Sequence, residues 1–455
     1  MALMSLQDAA FLLPETREQP MHVGGLQLFT TPVGADRDYL KNVYAELVAV
    51  DEIAPLFRQR AHRSLGTLGQ WAWQEDKELD LEHHVRHSAL PRPGRIRELL
   101  ALVSRLHSTL LDRQRPLWEM HLIEGLDDGR FAIYFKSHHA VMDGVSGLRL
   151  MQSSLSTDAD DRSLCAPYLP RESHRDHAGG GFSAGALAGM ARGAFNETVA
   201  LGPLVYRAAD RLIREQAAAL PSAAPRTILN GPITGSRRFA AQSWPLERLH
   251  AIRRSAGVTL NDVVLALCSG ALRTYLDEQH ALPDASLVAM VPVHLSSIGK
   301  GGSAGNNVGA ILTSLGTDQT DPARRLETIV ASMQQGKDLL GSLSRLQAVA
   351  MSAVSMAPLA MSSLFGINRL LPPPFNLVIS NVPGPKVPLW MQGARLDAFY
   401  PLSIPTVGQA LNITVTSYVD NLEFGLTGCR RHVPHLQRLL THIDASLDEL
   451  EAAVG

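Results

Sequence analysis

Two alternating apolar stretches, Trp118–Glu124 and Arg130–Lys136 (RFAIYFK), flank the turn sequence LDDG at Leu126–Gly129. A turn this short makes its flanking strands antiparallel neighbours, so the chain is predicted to hold a hairpin here. SHHAVMDG, Ser137–Gly144, follows the second strand directly, and Gly144–Ser154 (GVSGLRLMQSS) then has helical spacing. Two histidines therefore stand at a strand end, and Asp143, a favoured N-cap residue type, opens the helix. A histidine at a strand end is held rigidly while facing a cleft, as a general base must be. The helix dipole favours an ionised Asp143, which can fix a histidine or a nearby arginine, and Gly144 removes a side chain where backbone or substrate would come close. The alternative is a purely structural pair, since histidine is often partly buried. His83 and His84 in LEHHVRHS serve as an internal control: Ser88, not a carboxylate, stands four residues after the second, and this pair reads as structural or solvated. No metal is expected at either pair, because a site needs three or four ligands and nothing obvious adds to Asp143.

A chain of 455 residues exceeds one ordinary core and is expected to form two lobes. Strand candidates in the first half are His22–Phe29 and the hairpin, with helices over Tyr39–Val50 and Ile96–Leu111. From Asp158 to Gly181 the sequence turns polar, and Phe182–Leu220 is Ala-rich and helix-prone. The second half offers strands at Ser236–Leu246, Leu287–Val293, Val308–Leu315, Phe375–Ser380, Leu411–Tyr418 and Leu422–Leu426. Its helices are expected over Leu246–Ala256, Thr259–Leu276 and Pro434–Ala453. Strands and helices mix without strict βαβ alternation, which predicts an α/β (α+β) fold of two sandwich-like lobes. The expected division is residues 1–160, a linker with helices at 161–235, and 236–455.

Net charge is −2, so no global field attracts nucleic acid, and any anionic partner must meet a local patch. Cys165, Cys268 and Cys429 form no C-x-x-C, which fits a reducing cytoplasm, and the opening residues lack the basic region of a signal peptide. Leu346–Asn368 runs 23 residues without a charge. Its serines and mid-run Pro358 argue against a membrane span and for a buried helix pair, or for a soft wall around an apolar ligand, since Met351, Met356 and Met361 adapt to irregular shapes.

HHAVMDG, His138–Gly144, matches the HHxxxDG signature of the CoA-dependent acyltransferase superfamily. PMHVGGLQLF (Pro20–Phe29), RPLWEMHLIEGL (Arg115–Leu126), LNDVVLALC (Leu260–Cys268), FNLVISNVPGP (Phe375–Pro385) and ALNITVTSY (Ala410–Tyr418) resemble one branch of it, the bacterial bifunctional wax ester synthase/diacylglycerol acyltransferase family. The resemblance runs nearly end to end and is weakest around Asp158–Pro232. It implies two chloramphenicol-acetyltransferase-like lobes with the active site in the cleft between them. It also implies direct acyl transfer from acyl-CoA to a fatty alcohol or diacylglycerol, with no cofactor beyond that co-substrate.

By the same resemblance His139 is the general base, His138 a supporting neighbour and Asp143 an orienting residue. Asn261 is an oxyanion donor or a first-turn helix residue. Ser380 and Asn381 are a second donor or shape the turn before VPGP. Trp118 reads as packing, with a place in the substrate site as the alternative, and Glu119 as a stabiliser of the site. Arg237, Arg238 and Lys300 are candidates for the CoA phosphates or solvated charges, and Met356, Met361 and Gly366 for an alkyl-chain lining or plain core. The expected partners are acyl-CoA, the acceptor and, peripherally, a membrane or lipid body, placing the protein in the cytoplasm against the inner membrane or lipid inclusions. Two alternatives stay open: another alcohol acceptor, or a non-catalytic lipid-body scaffold.

Overall fold

The computed structural model describes residues 2–63, 67, 69–170, 224–294, 308–342 and 372–455. The first part of the chain forms β1 (Ala2–Leu3), α1 (Leu6–Leu12), β2 (His22–Thr30), α2 (Tyr39–Val48), β3 (Gln59–Arg63), β4 (Trp71–Glu75), α3 (Leu81–His84) and β5 (Val85–Ala89). It continues through α4 (Ile96–Ser108), β6 (Trp118–Glu124), β7 (Arg130–His138) and α5 (Gly144–Ser153). Then come β8 (Arg237–Pro245), α6 (Leu246–Ala256), α7 (Leu260–Glu278), β9 (Val288–His294), β10 (Val308–Ser314) and α8 (Pro322–Ser342). The last elements are β11 (Leu377–Val382), β12 (Trp390–Met391), β13 (Ala394–Leu402), β14 (Leu411–Tyr418), β15 (Asn421–Cys429) and α9 (Arg438–Val454).

The predicted hairpin is β6–β7, closed by a turn in which the Gly129 N–H donates to the Leu126 carbonyl and Gly129 takes φ 79°. It lies in a six-stranded sheet of order β12-β13-β2-β7-β6-β5. One face packs Trp118, Met120, Phe131, Ile133 and Phe135 against α2 and α5. The other packs Leu26, Leu28, Ala132 and Tyr134 against Leu99, Leu100 and Val103 of α4. A second six-stranded sheet has the order β10-β9-β11-β14-β15-β8. Along β14, Leu411, Ile413 and Val415 pack with the residues of α6, α7, α8 and α9, while alternation turns Asn412, Thr414 and Thr416 to the opposite face. In α7 every residue from Asp262 to Leu272 is buried, and each large apolar side chain so enclosed contributes about 1.5–3 kcal/mol.

The division expected at residue 236 needs correcting. Trp390–Leu402 leaves the second lobe's run of sequence and joins the first sheet, with β13 pairing β2 from Leu402↔Gly24 to Arg395↔Thr30. The segment 236–455 therefore serves both sheets. Residues 171–223, most of the expected linker, lie outside the described residues.

Between the sheets, edge strand β8 is met by α4. Ser104 Oγ accepts the Phe239 N–H at 2.9 Å and Ser108 Oγ the Arg237 N–H at 2.8 Å, so edge groups that would otherwise seek a partner strand are paired. Further along the seam, Tyr400 of β13 meets Ser243 of β8 at 2.9 Å, and a side chain at Gly425 of β15 would collide with the Pro401 carbonyl. No single described helix is long and apolar enough to cross a membrane.

Candidate active site

His138 ends β7, and His139 stands just beyond it. The His138 N–H donates to the Leu117 carbonyl at 2.9 Å, which gives the Pro116–Trp118 stretch a definite role in holding the motif, and the His139 N–H donates to the Met21 carbonyl at 2.8 Å. Asp143 caps α5, its Oδ1 accepting the Ser146 N–H at 2.7 Å. Both ends of the motif are thus tied to regular structure, and the base candidate has little freedom to drift.

The ring of His138 is fully buried. Its Nδ1 accepts the Ala140 N–H at 3.0 Å, so the ring proton belongs on Nε2. Nε2 lies 3.3 Å from Glu15 Oε1, a close contact off ideal hydrogen-bond geometry. Glu15 also receives the Met21 N–H at 3.1 Å and Arg113 Nε at 2.9 Å. Burial alone would raise the Glu15 pKa; His138, the Met21 N–H and Arg113 together hold it below the usual carboxylate value.

His139 stacks on Phe11 of α1, with ring centroids 4.0 Å apart at 26°. Burial pushes its pKa down to about 4, with the Asp143 carboxylate opposing, so the imidazole is neutral near pH 7. Among the described residues its Nδ1 has no hydrogen-bond partner, and no hydrogen bond joins it to Asp143. Asp143 acts on His139 through charge and through the cap that sets the turn. Gly144 leaves open space: a side chain there would meet only Val23 Cγ1, at 3.9 Å. A small pocket lined by Val23, Phe135, Met142, Gly144, Leu148 and Met151 opens beside it.

The other candidates are placed more variously. Trp118 is enclosed by Phe57, His84, Phe135 and Tyr168, and its Nε1 donates to the Phe57 carbonyl, which is packing. His84 of the control pair is buried in the same stack, with Nδ1 against the Trp118 carbonyl. Glu119 lies 3.2 Å from Lys136 Nζ, and Lys136 donates to the Leu106 and Thr109 carbonyls at the end of α4. Burial would raise the Glu119 pKa, yet His121 and Lys136 hold it down to about 2. Its visible work is to keep a buried lysine paired.

Arg237 is corrected as a CoA-phosphate ligand. It is buried, and its guanidinium is committed to the Thr234 and Glu18 carbonyls. Arg238 is half-buried and turns, by alternation along β8, to the face opposite Arg237, where no described hydrogen bond engages its side chain. Asn261 is the second residue of α7, whose cap is Thr259 in a reciprocal box with Asp262. Its amide makes no hydrogen bond among the described residues. Ser380 and Asn381 stand near the end of β11, Ser380 paired in register with Thr414 and Asn381 with Val415, so their side chains leave opposite faces. No described hydrogen bond or ring contact joins Asn261, Ser380 or Asn381 to His139. Lys300, Met356, Met361 and Gly366 lie outside the described residues. Among the described residues no group of three or more His, Cys, Asp or Glu is arranged to hold a metal.

Sequence reasoning missed Glu15, Phe11 and Arg113. Glu15 and Arg113 look like solvated charges in their own surroundings, and only a pairing across 98 positions gives them meaning.

A model of the wax ester synthase/diacylglycerol acyltransferase catalytic domain matches residues 4–264, and one of the C-terminal domain of the same family matches residues 304–451. A Mycobacterium tuberculosis protein named "Probable diacyglycerol O-acyltransferase tgs2" is 50% identical over 457 residues, covering 100% of each chain. The solved wax ester synthase/diacylglycerol acyltransferase from Marinobacter aquaeolei is 43% identical with a TM-score of 0.81, covering 100% of each chain. The first condensation domain of the CDA synthetase, 18% identical with a TM-score of 0.59 over 100% of this chain and 97% of its own, shares the two-lobed fold.

Proposed function

Because this chain belongs to the wax ester synthase/diacylglycerol acyltransferase family and is an acyl-CoA-dependent O-acyltransferase for wax-forming or diacylglycerol acceptors, we propose that His139 is its general base in a direct transfer. The acceptor oxygen attacks the thioester carbonyl carbon as His139 takes the hydroxyl proton. The tetrahedral oxyanion then collapses, the carbon–sulfur bond breaks, and the departing sulfur takes that proton to leave as CoA thiol. The observation that carries the assignment is a neutral imidazole just past a strand end, on a residue whose main-chain N–H, and that of Ala140 after it, are both pinned. No resident cofactor and no acyl-enzyme enter the step. Cys268, buried and pushed up to about 12, is no nucleophile.

Asn261 supplies an oxyanion donor in this reading. Its support is an amide in the first turn of α7 that makes no hydrogen bond among the described residues, where the helix terminus favours negative charge. The protein works on the cytoplasmic side, in peripheral contact with membrane or lipid inclusions. Support comes from Leu3 and Leu13, which flank the helix carrying Phe11 and are 64% and 61% exposed.

The test is CoA thiol release and ester formation by purified protein given palmitoyl-CoA with hexadecanol or a diacylglycerol. Thiol is expected only with an acceptor, in step with ester. His139→Ala is expected to lose about 10²- to 10⁴-fold and Asn261→Ala about 10²- to 10³-fold. A folded His139→Ala protein at wild-type rate refutes the base. Full recovery of the protein in the soluble fraction of lipid-loaded cells refutes the peripheral contact.

A further inference from the structure

One buried carboxylate reaches the main chain on both sides of the base. Glu15 Oε1 accepts the Met21 N–H at 3.1 Å, and the Met21 carbonyl accepts the His139 N–H at 2.8 Å. The same oxygen lies 3.3 Å from His138 Nε2, and that ring accepts at Nδ1 the N–H of Ala140, the residue after His139. The other oxygen, Oε2, is gripped by Arg113 Nε and Nη2, both at 2.9 Å, and Nη2 also donates to the Leu12 carbonyl at 2.8 Å. The side chains of His138 and Glu15 are 0% and 3% exposed, whereas that of Arg113 is 37% exposed. Exposed ion pairs are screened and contribute little, but a charge kept at this depth costs desolvation that only well-formed contacts offset.

We propose that Glu15 is a positioning residue for the transfer reaction: anchored from outside by Arg113, it fixes the Met21 and His138–Ala140 main chain and so holds the His139 ring at the reacting hydroxyl. The inference rests on His139 being the general base. It assigns Glu15 no contact with substrate and no proton of its own. Phe11, four residues before Glu15, stacks directly on the His139 ring, so the same segment touches the base and braces its main chain.

The test measures kcat and KM for palmitoyl-CoA with saturating hexadecanol in Glu15→Ala, Glu15→Gln, Arg113→Gln and His139→Ala. A misplacement of about 1 Å costs about 10²-fold, so Glu15→Ala is expected to lose about that in kcat while KM stays within about threefold. Glu15→Gln still accepts from Met21 and His138 and is expected to restore about tenfold of that loss. Arg113→Gln, which leaves the motif untouched, is expected to lose about tenfold in kcat by loosening the anchor. A merely structural role would lower the yield of folded protein and leave the turnover of what folds unchanged. Glu15→Ala at wild-type kcat beside an inert His139→Ala overturns the positioning role and leaves the base standing; His139→Ala at wild-type kcat overturns the base itself. Should Glu15→Ala fail to fold, Arg113→Gln decides alone, and unchanged kcat there overturns the inference.

Discussion

The two six-stranded sheets bury polar groups in different ways. In the first, His22, Glu119, Lys136 and His138 crowd the ends of β2, β6 and β7, and each has a partner within 3.3 Å: the His107 carbonyl for His22, Lys136 for Glu119, and Glu15 for His138. In the second, the helix-covered face is almost wholly apolar and the opposite face carries neutral amides and hydroxyls, with Glu423 as the buried carboxyl among them. Ionisable groups crowd the end of the first sheet where the histidine motif is held, whereas the seam is mostly neutral, with Arg237 and Glu423 among its buried ionisable groups. The first sheet presents the histidine motif, and the second supplies the seam.

The comparison breaks most visibly at Arg237. If this residue belongs to the seam and not to substrate binding, Arg237→Met leaves the Thr234 and Glu18 carbonyls without their donor. Hydrogen bonds to a charged donor contribute about 1.5–3 kcal/mol each, so losing these two part-buried ones is expected to cost about 3 kcal/mol in chemical denaturation. KM for palmitoyl-CoA is expected to hold; a rise of about tenfold or more would return Arg237 to the CoA site.

Glu423 sharpens the contrast between paired and unpaired burial. Its Oε2 receives Ser243 Oγ, while its Oε1 has no partner among the described residues, and burial raises its pKa to about 7. A carboxyl raised in the folded state holds its proton there longer than in the unfolded chain, so its contribution is present below about pH 4.5 and is lost as pH rises toward 7. Glu423→Gln removes that dependence, and its stability relative to wild type is expected to improve by about 3 kcal/mol between pH 5 and pH 8. A pH-independent difference would show that the carboxyl is ionised and paired by a group not in view.

The smallest effect is expected at Phe11, and it lies in the position of a pH limb. With His139 lowered to about 4, ester formation should be level from pH 6 to 8. Phe11→Ala admits water to the ring, so its pKa rises toward 6.5 and the acid limb moves up with it. An unmoved limb would mean that the stack does not set the basicity of His139.

Much of the first sheet was legible because its strongest signal is local. The hairpin, the strand-end histidines and the helix after Asp143 lie within about 40 consecutive residues and obey period and cap rules that need no distant partner. The missing strand of the same sheet was not legible. ARLDAFYPL at Ala394–Leu402 places Arg395, Asp397 and Pro401 among its apolar residues and pairs with a strand more than 360 positions earlier. The candidate site divided along the same line. His138, His139 and Asp143 were read from the motif, whereas Glu15 and Phe11 reach it through space from a segment whose charges look solvated. The tandem arginines look alike in sequence, yet a strand sends neighbours to opposite faces, so Arg237 enters the seam and Arg238 does not.

The return of Trp390–Leu402 to the first sheet also orders events during synthesis. Until about residue 402 has left the ribosome, β2 has no partner on its outer side, and a long strand with Leu26, Leu28 and Phe29 waits beside a finished hairpin with its edge unprotected. The histidine motif is made early, but the sheet that holds it closes late. A nascent chain of this kind needs its open edge guarded through most of translation, and two halves cut in the linker would reassemble only if the later one supplied the strand the earlier one lacks.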